Sequence, residues 1–204
     1  MNRKCALLVL SMLLSCLNAY AGKDWVHRFE AALNVADKIP SHATMGTAAY
    51  WGGDLAYGLN KNFGVGISGG FADSRFEVNK SDTSANIHAG SLSLTPVFFD
   101  MIYHATTESP VLYGVLGLGG LFVKTRGTGG LDALNLRAVA HDGYAVKLGV
   151  GIDLSANENW IYNFEADYVF TDAKLDIVDA KGNEISSKNV GFWRIGAGLK
   201  YLFD

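Results

Sequence analysis

The sequence predicts an all-β fold, an eight-stranded antiparallel up-and-down transmembrane β-barrel. Three observations carry the prediction. Apolar and polar residues alternate with a period of two over long segments, and the connections between these segments alternate between long and short. Beyond the N-terminus, no stretch approaches the roughly 20 apolar residues that a spanning helix needs. Strands can cross a bilayer only by closing on themselves, because an open edge would leave backbone groups unpaired in lipid.

The chain opens on Asn2, Arg3 and Lys4, then an apolar run from Cys5 to Leu17, then Ala19, Tyr20 and Ala21. This is a charged leader, an apolar stretch too short to span, and an Ala-x-Ala cleavage site. Residues 1–21 are therefore expected to be an export signal that is removed, and 22–204 to form one barrel domain. Lipoprotein processing at Cys16, after Leu13, Leu14 and Ser15, is the competing reading. The apolar run continues past Cys16, which favours the Ala-x-Ala site. Both cysteines, Cys5 and Cys16, fall within the signal, so neither a disulfide nor a thiolate ligand is expected in the mature chain. Removing Arg3 and Lys4 makes the chain more acidic than the −3 of the full sequence. With no cluster of Lys and Arg, no nucleic-acid partner is expected.

Strands are predicted near Trp25 to Val35, Gly46 to Leu59, Phe63 to Ala72, Ala89 to His104, Val111 to Lys124, Gly143 to Leu154, Trp160 to Phe170 and Asn189 to Phe203. Short turns fall at Asn60 to Asn62, Ala105 to Pro110 and Ser155 to Asn159. Long connections fall at Ala36 to Met45, Asp73 to His88, Thr125 to Asp142 and Thr171 to Lys188. Such asymmetry puts the short turns and both termini on one side of the membrane. Tyr144, Val146, Leu148, Val150, Ile152 and Leu154 alternate with Ala145, Lys147, Gly149, Gly151 and Asp153. In the last strand, Trp193, Ile195, Ala197, Leu199, Tyr201 and Phe203 alternate with Arg194, Gly196, Gly198 and Lys200. Aromatics gather near the strand ends, where a membrane interface accommodates them.

Two strands break the pattern. In the fourth, Leu92, Leu94, Pro96 and Phe98 share a phase that then meets Asp100, and a bulge is expected near Pro96. In the fifth both phases are apolar, which suits a hydrophobic part of the lumen.

The polar phase, collected across strands, contains Arg28, Glu30, Asp54, Lys147, Asp153, Glu165, Asp167, Arg194 and Lys200. Five acids against four bases predict a mutually paired interior, because a lone charge in a narrow lumen would lose its hydration without compensation. Glycines in the same phase, Gly149, Gly151, Gly196 and Gly198 among them, fit a tight wall, and a wide aqueous pore is not expected. Apolar residues also gather in the third long connection, at Leu131, Leu134, Leu136 and Val139. They either pack over the barrel mouth or form a greasy entrance.

Other motifs carry less. Gly64, Gly66 and Gly69 spell a dinucleotide-loop pattern, but Val65, Ile67 and Phe71 continue a strand where that loop needs a helix. The histidines, His27, His42, His88, His104 and His141, have no metal-site spacing, so no metal and no cofactor are expected. A hydrolase reading could use only Ser91 and Ser93 near His88, and a polar wall explains these residues without catalysis.

With the signal, the eight strands and the ending Tyr201, Leu202, Phe203 in place, the chain resembles the small outer-membrane barrels of the OmpW and OmpA-like superfamily. The resemblance is carried by Asp54 to Tyr57 with Asn60 to Val65, by Thr95 to His104 with Ser109 to Gly119, and by Trp160 to Phe170. It implies an outer-membrane location, lipid contact, and passage of small hydrophobic molecules through a narrow lumen that opens sideways. Leu199, Tyr201 and Phe203 resemble the signal read by the barrel-assembly machinery, although Asp204 follows the aromatic that normally ends it. The expected function is a monomeric channel or binding protein for small hydrophobic molecules, not an enzyme. A structural or adhesive surface barrel is the alternative, and a soluble lipocalin-like carrier, with its faces reversed, is the third.

Overall fold

The computed structural model describes residues 29–40, 46–79, 86–106, 108–127, 131 and 135–203, so the expected signal and Arg28 and Leu134 lie outside the described residues. Eight strands close into an antiparallel barrel: β1 (Phe29–Pro40), β2 (Ala48–Gly58), β3 (Phe63–Asn79), β4 (Asn86–His104), β5 (Val111–Gly127), β7 (Gly143–Ser155), β8 (Trp160–Thr171) and β11 (Phe192–Phe203). Each pairs with its neighbour in the barrel, and β1 meets β11 to complete the ring, Phe29 opposite Phe203 and Val35 opposite Ala197.

The alternation resolves into two surfaces. Leu33, Leu55, Ile67, Val97, Phe99, Leu118, Leu148, Val150 and Ile195 are exposed on the wall, Val150 at 66%. Lys147, between Val146 and Leu148, is 2% exposed, and Asp167 is wholly buried. Two aromatic belts bound the apolar wall. At the short-turn end, Phe29 packs at a tilt against Tyr57 and Phe63 against Tyr103, and Trp160 meets Tyr201 edge-on. At the long-loop end, Tyr168 contacts Phe170 and Trp193, and Tyr144 stands 82% exposed. Charge inside and oil outside, with an aromatic ring at each rim, is the arrangement a bilayer imposes on a closed sheet.

Two of the short turns share a device. Asn60 Oδ1 accepts the backbone N–H groups of Asn62 and Phe63, and Asn157 Oδ1 accepts those of Asn159 and Trp160, both at 2.9–3.0 Å. The second asparagine of each Asn-x-Asn then ties the turn to an adjacent strand, Asn62 to the His104 carbonyl and Asn159 to the Leu202 carbonyl. Asparagine supplies these local acceptors at little steric cost.

Parts of the predicted long connections are strand. β3, β4 and β5 run on beyond the predicted Ala72, Ala89 and Lys124 ends, and three short strands, β6 (Leu136–His141), β9 (Lys174–Asp179) and β10 (Glu184–Asn189), form a separate sheet in the order β10-β9-β6. Asn189, expected to open the last barrel strand, instead ends β10. In the β9–β10 turn, the amide of Asn183 donates to the Asp179 carboxylate, with the backbone N–H groups of Asn183 and Lys181, and these bonds hold that carboxyl below the usual range. Gly182 takes the left-handed φ of 85° that the turn requires.

The bulge expected at Pro96 is absent. β4 pairs with β5 in unbroken register from Gly90 to His104, and the register shift lies where Phe76 and Glu77 of β3 meet Gly90 and His88 of β4, passing over Ala89. The reason is that Leu92, Leu94, Pro96, Phe98 and Asp100 all face inward, so the apolar-to-acid switch marks a change of layer inside the barrel and not a change of face.

Candidate functional site: a two-layered barrel interior

Toward the long-loop end the interior is apolar. Phe76, Leu92, Leu94, Phe98, Leu121, Val123, Ala145, Val169 and Phe192 form one buried cluster. The separate sheet lies over it, contributing Leu175 and Ile177 from β9, with Ala173, Val190 and Leu131 from the connections. Leu136, Ala138 and Ala140 of β6 pack against the same cluster. Val139, between them, falls on the other face, opposite Asp176. The described part of the apolar connection thus packs over the barrel interior, and Leu121 and Val123 on the inward face of the doubly apolar β5 lie in the same cluster.

Below this layer the interior is ionic. Arg194 donates from Nε to Asp167 at 2.7 Å and from Nη2 to Glu165 at 2.6 Å, with its guanidinium 4.8 Å from the Tyr50 ring. Glu165 accepts the Tyr113 hydroxyl at 2.7 Å, Tyr113 accepts Asn163 at 2.6 Å, and Asn163 also donates to Asp153 at 2.8 Å. Lys200 bridges Asp153 at 3.0 Å and Glu30 at 2.9 Å. A continuous relay therefore runs from Asp167 to Glu30. Beside it, Lys147 joins Asp100 at 3.0 Å and Ser68 at 2.9 Å, and Asn34 donates to Asp54 at 2.8 Å. At the short-turn end, Ile161 and Leu202 with Ile102 form a small apolar floor.

All the predicted interior charges among the described residues occupy this layer. Sequence reasoning missed Asp100, Ser68, Tyr113, Asn34 and Tyr50, and places Asn163 only in the polar phase that it shares with Glu165 and Asp167. Asp100 makes six acids against three bases among the described interior residues, since Arg28 lies outside them. Its signal was present in the strict alternation from Leu92 to Asp100. Glycines give the network its room: a Cβ on Gly151 would overlap the Tyr113 ring, and one on Gly117 would meet Asp100 Oδ1 at 2.5 Å. The space left among Glu30, Asp54, Asp100, Lys147, Arg194 and Lys200 is about 20 Å³, close to the volume of a single water. Asp100 Oδ1 lines it and has no hydrogen-bond partner among the described residues. At this level the described side chains leave a narrow, charged interior.

Ser93 donates its hydroxyl to Asp73, and Ser91 lies opposite Arg75 and Arg126; the side chain of His88 lies outside those described. Among the described residues no His, Cys, Asp or Glu cluster could hold a metal ion. Leu199 and Phe203 are exposed on the outer wall near the closing seam, and Tyr201 is half-buried between the rings of Trp160 and Phe203.

An apolar outer wall, two aromatic belts and an ion-paired interior define a small eight-stranded transmembrane β-barrel of the outer-membrane type. Solved structures agree at the level of the fold. The chain is similar to outer membrane protein OprG of Pseudomonas aeruginosa, with a TM-score of 0.75 and 16% identity over 89% of this chain and 98% of that one. It is similar to outer membrane protein W of E. coli, with a TM-score of 0.56 and 16% identity over 89% and 100% of the two chains. Ail, the attachment invasion locus protein of Yersinia pestis, gives a TM-score of 0.51 and 18% identity over 87% and 99%. No protein-family model and no curated protein matches the sequence.

Proposed function

We propose that this chain is exported by its N-terminal signal, is inserted into the outer membrane by the barrel-assembly machinery through Leu199, Tyr201 and Phe203, and works there as a monomer. It binds small nonpolar compounds in the outer half of its interior and releases them sideways into the bilayer. The role is non-enzymatic and uses no cofactor. One observation carries the reading: the interior is apolar at the long-loop end and closed by ion pairs below. A nonpolar solute would find oil under the outer sheet and a costly charged barrier beneath it. Its favourable exit is through the wall. The sheet of β6, β9 and β10 is the part that must yield for entry, as a small element with few partners opens at lower cost than the wall.

The test is saturable binding of the tracer N-phenylnaphthylamine to the barrel in nanodiscs. Ile177→Asp, which places a carboxylate under the lid, is expected to weaken that binding by about tenfold or more while heat-modifiable migration is kept. Equal tracer binding by this variant, or large steady porin-like currents from the parent, would overturn the proposal.

An adhesive role is the second reading. It is favoured by Ile185, 59% exposed on the outer hairpin, and by the fold shared with Ail. Deleting residues 180–183 separates the two: loss of cell-surface contact with tracer binding intact supports adhesion.

A further inference from the structure

Three cations stand on the outer face where β3, β4 and β5 rise past the apolar wall: Arg75, Lys124 and Arg126, all exposed. The register places Arg75 opposite Ser91, and Ser91 opposite Arg126, so two arginines flank one serine in a single row. Neighbouring strands lie about 4.8 Å apart, which puts the two arginine backbones roughly 10 Å apart. In the next row toward the bilayer, Asp73, Ser93 and Lys124 align in the same way. Two residues further in on the same face come Phe71 and Phe122, both exposed at the edge of the apolar wall. These cations therefore stand at the height of lipid headgroups at the long-loop end.

Pairing is the second observation. Inside the barrel, Lys147, Arg194 and Lys200 each hold a carboxylate within 3.0 Å. Arg75, Lys124 and Arg126 form no ion pair with any described residue. The acid beside them, Asp73, takes the hydroxyl of Ser93 instead, and Glu77 lies one step further from the bilayer on β3.

We propose that Arg75, Lys124 and Arg126, with the Ser91 hydroxyl, dock the phosphate groups of a phosphorylated lipid of the outer leaflet, whose acyl chains lie on Phe71 and Phe122. The guanidinium fork matches phosphate oxygens two at a time, and the ammonium adds a third charge one row nearer the chains. Cations beside a bilayer are drawn to anionic headgroups, and here no described carboxylate is ion-paired with them. The assignment rests on the membrane orientation of the barrel and is independent of any nonpolar cargo.

The purified full barrel in zwitterionic micelles is titrated with diphosphorylated lipid A and with the same lipid stripped of phosphate, and retained lipid is counted by native mass spectrometry. The parent is expected to hold the phosphorylated form about tenfold more tightly or better, a preference that fades with added salt. Arg75→Gln/Lys124→Gln/Arg126→Gln removes the preference, whereas Lys181→Gln in the β9–β10 turn leaves it unchanged. Heat-modifiable migration verifies folding, and Arg75→Gln and Arg126→Gln singly give graded losses if the triple variant does not assemble. Equal retention of both lipids, an undiminished preference in the variants, or comparable capture of inorganic phosphate alone would overturn the proposal.

Discussion

Arg194→Met is expected to lower folding stability by about 3–5 kcal/mol, measured by urea-driven unfolding and refolding on lipid vesicles. The side chain holds two carboxylates at once, Asp167 and Glu165, in a layer where water is nearly excluded. Removing the cation leaves both without compensation, and in such surroundings an unpaired charge costs far more than the pair itself contributes. The same reasoning predicts rescue. Arg194→Met combined with Asp167→Asn and Glu165→Gln removes the charge altogether and should recover most of the loss, because polar neutral groups can still serve Tyr113 and each other. A single variant within about 1 kcal/mol of the parent would mean that the interior is wet and the axis open.

Val150→Arg is the second large effect. The residue stands near the middle of β7, between Leu148 and Ile152 on the outer wall, and a guanidinium there must either enter hydrocarbon or drag water with it. The expected cost is about 2–4 kcal/mol in vesicles. If the wall faced water, a substitution at so exposed a site would stay within about 0.5 kcal/mol. Ser187→Arg, on the exposed face of β10, is the matched control and should be nearly neutral.

Much of this fold was legible because a wall between two solvents writes its period directly into the chain. β7 and β11 each expose one phase to oil and the other to charge, so strand and face followed from alternation alone. The reading faltered where the interior itself changes character along the axis. From Leu92 to Asp100 one face passes from the apolar layer into the ionic one, and a rule that equates inward with polar mistakes that passage for a break in the strand. β5 was ambiguous for the same reason, its inward Leu121 and Val123 being as apolar as its outward Leu118 and Phe122. The sheet over the mouth was hidden for a different reason. Leu175 and Ile177 alternate with Lys174 and Asp176, but β9 is six residues long and pairs with β6 across an intervening barrel hairpin, a contact that no local pattern announces. Tyr113 was overlooked because an uncharged polar group joins the network only once geometry brings Glu165 beside it.

The central claim is that apolar side chains of the wall meet acyl chains while ionic ones are enclosed. Both native cysteines lie within residues 1–21 and neither in the barrel strands, so single cysteines can be placed at Leu118, Leu148 and Val150, and nitroxide labels there compared for collisions with oxygen and with a water-soluble nickel complex. Oxygen should dominate at all three, with the greatest excess at Val150 nearest mid-bilayer. Frequent collisions with the nickel complex at these positions would place water on the outside of the barrel and contradict the account.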